Sequence, residues 1–366
     1  MAAHAVDVLI VSLGSTEGLR TADEELEDSL RRAGARVALA RPLPPTAIRT
    51  LMLTDLVWAR AARAAAAHML RQLQRSPPRA IVYSSTTAAL LWPRPGAIRF
   101  DAPAAGNRPG RHGSWQRPLE RRRLRQAPLL LPWSEGGLRE APASAARGER
   151  AVVLPVPVEP SGPAEPTRDI AAITYAANPA KKGLDRVLAA WRGVRGELLA
   201  GKLGTGASAT ATSAELVVAG ASADELRMAG FDIEGEEGVR VVGALSAQGY
   251  RALIRRARVF VCAPRREDYG IAQLEALADG CLLATTPAPG PYVALPIARE
   301  LDRRLVSEDL AGALRLALTD PAPDYAQRAL HALAPLSRDA TDRLVVQQLL
   351  PRLLGAGQDG TETIQP

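Results

Sequence analysis

The chain has 366 residues, of which 47% are hydrophobic and 23% charged, and this ordinary globular composition excludes a short peptide, a coiled-coil rod and a wholly disordered chain. Its 46 basic and 39 acidic residues give a formal net charge of +7, which favours phosphate-bearing ligands or anionic lipid headgroups without identifying either. The two cysteines and four histidines show no zinc or disulfide spacing, and no run of about 20 apolar residues occurs, so we expect a reducing, cytoplasmic location and no membrane span.

The first part of the chain alternates between short apolar runs and amphipathic stretches. Residues 6–13 predict a buried parallel strand that the loop 14–18 ends, and a capping box at 21–24 predicts the start of a helix. A second helix is predicted at 56–73. Further strands are predicted at 37–40, 80–84, 96–101, 129–134 and 151–155. This alternation predicts a doubly wound α/β domain.

Two segments interrupt this alternation. Residues 101–118 are rich in Gly, Pro and Arg without a helical period, which predicts a functional loop. The proline-rich residues 155–166 predict a domain boundary.

The same alternation begins again after the boundary and predicts a second doubly wound domain. A helix is predicted at 184–199, and residues 201–213 have the low complexity of a flexible surface insertion. Residues 339–354 predict a closing helix. The strands of this half are predicted at 169–175, 215–219, 239–242, 258–263 and 281–285.

The most informative segment follows the predicted strand 258–263. Glu267 lies in the loop after this strand, Gly270 permits a close approach of the backbone, and a helix opens near Ile271. The free N–H groups and the dipole at such a helix start favour a phosphate. Glu275, about one turn into the helix, can then reach a hydroxyl group beside that phosphate, and Glu267 can reach a second polyol.

Two glutamates separated by seven residues, with a glycine between them, resemble the E-x7-E signature of retaining GT-B glycosyltransferases. The sequence is most similar to glycosyltransferase family four, the glycosyltransferases of group 1. Other segments that resemble this family occur in the expected order, so the resemblance covers most of residues 6–330. These segments are 126–135, 153–159, 175–185 and 215–220.

The resemblance implies an α/β protein with two doubly wound, Rossmann-like domains that face each other across a cleft, the GT-B fold. Residues 1–160 would form the acceptor-side domain and residues 161–335 the nucleotide-sugar-binding domain. Residues 336–354 would form a helix that packs back toward the N-terminal domain, and residues 355–366 a disordered tail.

The resemblance also implies roles for residues of the second domain. Lys182 would contact the diphosphate of the donor, and the amides around Gly270 and Ile271 would hold its distal phosphate. Glu275 would bind the nucleotide ribose. Glu267 would contact hydroxyls of the transferred sugar and is the first catalytic candidate.

Other implied positions depart from the family pattern. The phosphate-binding arginine of the family falls at Ala177, so Arg265 or Arg266 is expected to supply that charge. The family's His-Asp pair retains only its aspartate, Asp101, which is the second catalytic candidate. Gly14 would approach the diphosphate from the first domain.

We predict that no metal and no cofactor take part, because the nearest approach to a D-x-D metal motif is residues 232–234, in a Gly- and Glu-rich stretch. A lysine and a helix start can stabilise the leaving diphosphate in place of a metal ion. The predicted partners are a nucleotide sugar as donor substrate and an unidentified hydroxyl acceptor.

An arginine-rich segment at residues 121–125, near Trp115, is interpreted as a solvated helix face. It also fits a surface for an anionic acceptor or a lipid headgroup, with peripheral contact at the inner face of an anionic membrane. It does not predict nucleic-acid binding, because the aromatic residues that would stack on bases are missing.

The leading hypothesis is therefore a retaining, metal-independent hexosyltransferase. Two alternatives remain open at this point. One is a nucleotide-sugar epimerase or hydrolase of the same fold. The other is a non-catalytic protein that binds a nucleotide sugar or a polyanion, and the missing arginine and histidine favour this second alternative.

Overall fold

The computed structural model of the chain describes residues 6–43, 51–108, 110–144, 150–163, 165, 167–200 and 213–355. The chain divides into two compact units: Met1–Pro157 together with Leu336–Pro366, and Val158–Pro335. Most of the predicted insertion, residues 201–212, and the predicted tail from residue 356 lie outside the described residues.

The first unit contains a five-stranded parallel sheet with the strand order β2-β1-β3-β4-β5. Every residue of β1 and β4 is buried, because helices cover both faces of the sheet. This explains why β1 is apolar throughout, whereas β4 also contains one buried charged residue, Arg99. The strands are β1 Val8–Val11, β2 Val37–Ala40, β3 Ala80–Tyr83, β4 Ala97–Phe100 and β5 Leu130–Pro132.

The first unit has an apolar cluster on each face of its sheet. One cluster includes Tyr83, Phe100 and Leu124, and the other includes Ile10 and Leu30. Residue burial on both sides makes the sheet the centre of a three-layer structure. The helices before residue 158 are α1 Glu17–Arg32, α2 Leu51–Gln72, α3 Thr86–Ala89, α4 Ala104–Asn107, α5 Gln116–Gln126 and α6 Glu135–Glu140.

Three predictions for the first unit are wrong in detail. The first helix begins at Glu17 and not at the predicted capping box, because the hydroxyl of Thr16 accepts a hydrogen bond from Leu19 N at 3.3 Å. The predicted loop 101–118 contains α4, a 3-10 turn at Gly110–Gly113 and the start of α5.

Residues 151–155 form only an isolated bridge and no strand. Val152 N and Leu154 N donate to carbonyl oxygens of β5, but Pro132 has no N–H group with which to continue the ladder.

The second unit also contains a five-stranded parallel sheet, with the order β10-β9-β6-β7-β8. The strands are β6 Ile170–Tyr175, β7 Ser213–Ala219, β8 Val239–Gly243, β9 Ala257–Cys262 and β10 Leu282–Thr285. The helices are α7 Pro179–Lys182, α8 Leu184–Leu199, α9 Ala223–Met228, α10 Ala247–Arg256, α11 Ile271–Ala278, α12 Ala294–Leu301, α13 Leu310–Thr319 and α14 Tyr325–Leu333.

The C-terminal segment completes the first unit. It consists of α15 Arg338–Leu344, a π-helical turn at Val345–Leu349 and α16 Leu350–Gly355. Val345, Leu349 and Leu353 belong to the same apolar cluster as Ile10 and Leu30. The predicted closing helix is therefore helical throughout, with one irregular turn.

Two parallel five-stranded sheets, each covered by helices, confirm the predicted fold class of two doubly wound domains. Among the described residues, none of the helices combines the length and the apolar character needed to cross a membrane.

Candidate functional site

Two loops of the second unit meet at the carboxyl edge of its sheet, because β6 and β9 are neighbouring parallel strands. The loop after β6 carries Lys181 and Lys182, and the loop after β9 carries Glu267 and Asp268. Lys182 Nζ lies 2.6 Å from Glu267 Oε2, and Lys181 Nζ lies 2.6 Å from Asp268 Oδ2. The paired lysines thus face the paired carboxylates, and the two predicted site residues, Lys182 and Glu267, are in direct contact.

The short helix α7 positions the two lysines. The side chain of Asn178 caps it by accepting a hydrogen bond from Lys181 N at 3.1 Å, and Gly183 ends it in the left-handed conformation, with φ of 67°. A Cβ atom on Gly183 would lie 1.9 Å from the carbonyl oxygen of Ala263 at the end of β9. Only glycine therefore allows the two loops to approach this closely.

Glu267 is buried, with 5% of its surface exposed. Its Oε2 atom accepts hydrogen bonds from Lys182 Nζ at 2.6 Å and from Gln273 Nε2 at 3.1 Å. Its backbone N–H donates to Pro289 O at 3.1 Å, so the main chain is held as well as the side chain. A buried carboxylate needs such donors to offset the loss of hydration.

Helix α11 begins directly beside this carboxylate. Gly270 precedes it in the left-handed conformation, with φ of 94°, and no side chain caps the helix start. A Cβ atom on Gly270 would lie 3.0 Å from the ring of Tyr292. The backbone at Gly270 and Ile271 thus has the features that the sequence predicts for a phosphate-binding helix start.

Glu275 belongs to a separate group of charges on α11 and α10. Arg251 places Nη1 3.4 Å from Glu275 Oε1 and Nε 2.6 Å from Asp279 Oδ2. Burial raises the pKa of Glu275 above its usual range, and Arg251 offsets this only in part. The Glu275 side chain is 22% exposed, so this group is only partly buried.

The two candidate arginines have different partners. The guanidinium of Arg265 makes two hydrogen bonds to Asp185, at 3.0 and 2.8 Å, and one to the carbonyl oxygen of Ala180. Arg266 Nε lies 2.8 Å from Asp268 Oδ1, within the group that contains Lys181. Of the two, Arg266 is the one that the structure joins to the lysine and carboxylate cluster.

The remaining candidates, Gly14 and Asp101, lie in the first unit. Gly14 follows β1 with φ of 59°, and its carbonyl oxygen accepts a hydrogen bond from Arg20 Nη1 at 3.0 Å. Asp101 follows β4, and its Oδ1 accepts from Ala102 N at 2.7 Å. A Cβ atom on Gly137 would lie 2.4 Å from the carbonyl oxygen of Asp101, so this loop is closely packed.

A buried carboxyl group that the sequence analysis missed supports the Asp101 loop. Glu120, on α5, is 2% exposed, and its two oxygens accept from Ala104 N at 2.8 and 3.1 Å. Burial is the main cause that raises the pKa of Glu120 to about 7, and the charge of Asp101 also raises this pKa. The hydrogen bonds from the Thr86 hydroxyl and Ala104 N and the charge of Arg108 lower the pKa and offset part of this effect. This group titrates close to neutral pH.

We expect the stability of the protein to fall as the pH rises from about 4.5 to about 7, because folded Glu120 still holds a proton that the unfolded chain has released. The contribution is at most roughly 3 kcal/mol. Urea unfolding of the wild type and of Glu120→Gln at pH 5 and pH 8 measures it. The variant carries no titrating group at this position and should show a flatter pH dependence; equal slopes for both proteins would disprove the assignment.

Several residues of the second-unit site were also missed. Lys181 and Asp268 could have been found from the sequence, because two adjacent lysines and two adjacent acidic residues follow two predicted strands of the same domain. Gln273 carries a weaker signal, a polar residue on the apolar face of a short helix. It is 1% exposed, and only the folded loop around it reveals its contact with Glu267.

Comparisons with known proteins identify a family for most of the second unit. Residues 169–320 match the family Glycosyl transferases group 1, which confirms the resemblance seen in the sequence over these residues. No curated protein sequence matches the chain.

Solved structures resemble the chain over nearly its whole length. Anabaena HepE in complex with UDP and glucose has a TM-score of 0.67 at 11% identity, covering 94% of this chain and 99% of that one. WaaG, a glycosyltransferase involved in lipopolysaccharide biosynthesis, has a TM-score of 0.62 at 15% identity, covering 93% and 99%. An E. coli trehalose-6-phosphate protein bound with UDP-2-fluoro glucose has a TM-score of 0.62 at 12% identity, covering 94% and 99%. At these identities the likeness establishes the fold, which is GT-B.

Proposed function

We propose that this chain, a glycosyltransferase whose residues 169–320 match the group 1 family, moves a hexose from a nucleotide diphosphate sugar to a hydroxyl acceptor and retains the anomeric configuration. One observation carries the proposal. Lys182 and Glu267 are in contact beside the uncapped start of α11, so a cation, a carboxylate and free N–H groups are available at one edge of one sheet.

The chemistry of glycosyl transfer requires such a set of groups. When the bond between the anomeric carbon and the phosphate oxygen breaks, positive charge develops on the sugar ring and negative charge on the leaving diphosphate. Lys182 and the amides at Gly270 and Ile271 would stabilise the diphosphate. Glu267 would orient the sugar through its hydroxyls while the acceptor oxygen bonds to the anomeric carbon and passes its proton to the departing diphosphate oxygen.

The proposal includes metal independence, supported by the lysine and the helix start, which can together offset the charge of a diphosphate. Glu275 would accept from a ribose hydroxyl. Because the similar structures of HepE and of the E. coli protein hold UDP or a UDP sugar, uridine diphosphate glucose is the first donor to test.

The acceptor is proposed to be a saccharide, a lipid-linked molecule or a small molecule, in a cytoplasmic setting. The exposed side chains of Arg121, Arg122 and Arg125 on α5 support peripheral contact with an anionic membrane or with an anionic acceptor.

We expect one of the UDP, GDP or ADP sugars to raise the free energy of unfolding by about 2.7 kcal/mol when present at about 100 times its dissociation constant. A thermal-shift series identifies that donor, and incubation with candidate acceptors, with and without EDTA, tests transfer. Freed or epimerised sugar without a transfer product would favour an epimerase or hydrolase. Complete loss of transfer with EDTA would contradict metal independence.

A further inference from the structure

The two hydrogen bonds to the Glu267 carboxylate fall on the same oxygen. Lys182 Nζ and Gln273 Nε2 both donate to Oε2, at 2.6 and 3.1 Å. Among the described residues, Oε1 of Glu267 receives no hydrogen bond from the protein. The carboxylate therefore has one oxygen held by the protein and one oxygen left to accept.

The orientation of the Gln273 amide follows from its neighbour. A carboxylate accepts hydrogen bonds and cannot donate them, so the amide nitrogen and not the amide oxygen must face Glu267. The same nitrogen lies 3.7 Å from Cys262 Sγ. This leaves Gln273 Oε1 buried and without a partner among the described residues.

A layer of buried polar groups lies behind Gln273 and restricts its movement. Cys262 Sγ lies 3.2 Å from Thr285 Oγ1 and 3.6 Å from Tyr292 Oη, and the two hydroxyls are 3.0 Å apart. Burial raises the pKa of the Cys262 thiol, so the thiol stays protonated and uncharged beside the amide. Gln273 is thus held in one rotamer by a close-packed environment.

We propose that Gln273 is a positioning residue: it fixes the Glu267 carboxylate so that Oε1 accepts a hydroxyl of the transferred sugar. The inference rests on the proposed function and goes beyond the E-x7-E signature, in which the position of Gln273 lies between the two glutamates without a role. It assigns the sugar contact to one atom and makes Gln273 a determinant of sugar binding and not of nucleotide binding.

The test uses Gln273→Met, which keeps an unbranched side chain of similar length and removes the donor. Isothermal titration calorimetry measures the dissociation constants of UDP-glucose and of UDP. If the wild type binds another nucleotide sugar, that sugar nucleotide and its free nucleoside diphosphate take their place. We expect UDP-glucose to bind about tenfold more weakly and UDP to change by less than about twofold, because a lost hydrogen bond to a charged group has an effect of this size.

A matched control is Gln116→Met, another buried glutamine, which lies on α5 in the first unit. It should leave both dissociation constants unchanged. A second variant, Gln273→Glu, keeps polarity and size. Its carboxylate would repel Glu267 at neutral pH, so sugar binding should weaken further and recover as the pH falls and the introduced carboxyl gains a proton.

The outcomes separate the inference from the proposed function. If the wild type binds no nucleotide sugar, the proposed function fails. If the wild type binds a nucleotide sugar, but Gln273→Met weakens the binding of the nucleotide sugar and of the free nucleotide equally, or changes neither dissociation constant, the positioning role of Gln273 is wrong. If Gln273→Met does not fold, the pH dependence of nucleotide-sugar binding by Gln273→Glu provides the test. Binding that does not recover as the pH falls would then contradict the inference.

Discussion

Replacing Lys182 by methionine is expected to lower kcat/KM for the nucleotide sugar by about 100- to 1,000-fold, the loss found when one preorganised donor to a developing negative charge is removed. Lys182 Nζ is 2.6 Å from Glu267 Oε2, and the Glu267 side chain is 7% exposed. The variant would therefore lose the cation that we propose for the leaving diphosphate and would leave a buried carboxylate with Gln273 as its only described donor. Steady-state kinetics with the donor identified by thermal shift provides the measurement.

Lys181→Met is the matched control for this variant. Lys181 is the adjacent lysine and pairs with Asp268, which also contacts Arg266 at 2.8 Å, so its carboxylate keeps a cationic partner. The Lys181 side chain is 35% exposed, and because Asp268 keeps Arg266 as a partner we expect kcat/KM to stay within about fivefold of the wild type. Equal losses in the two variants would show that general positive charge, and not the position of Lys182, supports activity.

Replacing Gly183 by alanine is expected to destabilise the protein by about 3 kcal/mol or more. The left-handed backbone costs an L-residue about 1–2 kcal/mol, and overpacking adds about 1–3 kcal/mol. At Gly183, φ is 67°, and the new Cβ would lie 1.9 Å from Ala263 O, so the loop that carries Lys182 must move away from β9. The urea midpoint of unfolding and the activity should fall together.

Gly196→Ala, within α8, controls for the change from glycine to alanine. No atom lies within 4 Å of a Cβ atom built on Gly196, and α8 continues to Leu199. Alanine in a helix interior is favoured over glycine by roughly 0.5–1 kcal/mol, so this variant should unfold at a slightly higher urea concentration. A Gly183→Ala protein as stable as the Gly196→Ala protein would contradict the steric argument.

The sequence predicts elements well where local signals agree with the packing. Strand β2 and helix α8 have the predicted bounds, since their apolar periodicity ends at glycines or polar turns. The error at residues 151–155 has a non-local cause. Whether those residues form a strand depends on Pro132, about 20 positions earlier in the chain, which local periodicity does not include.

The same distinction applies to the site. The contact between Lys182 and Glu267 could be expected, because loops after neighbouring parallel strands meet at one edge of a sheet. The burial of Glu120 could not be expected from the sequence, because this residue lies in an arginine-rich segment with the composition of an exposed helix face. Its burial depends on Ala104 N, a backbone group 16 residues away that requires an acceptor once the loop is folded.

The discontinuous first unit has a consequence for synthesis on the ribosome. Residues 158–335 form a complete unit before Val345 and Leu349, which belong to the apolar cluster of the first sheet, have been translated. At about 5–20 residues per second, synthesis of residues 158–349 takes roughly 10–40 s, and the cluster lacks these side chains during that time. We therefore expect the unit that begins to emerge first to be the last to finish folding, with its apolar cluster incomplete during this interval.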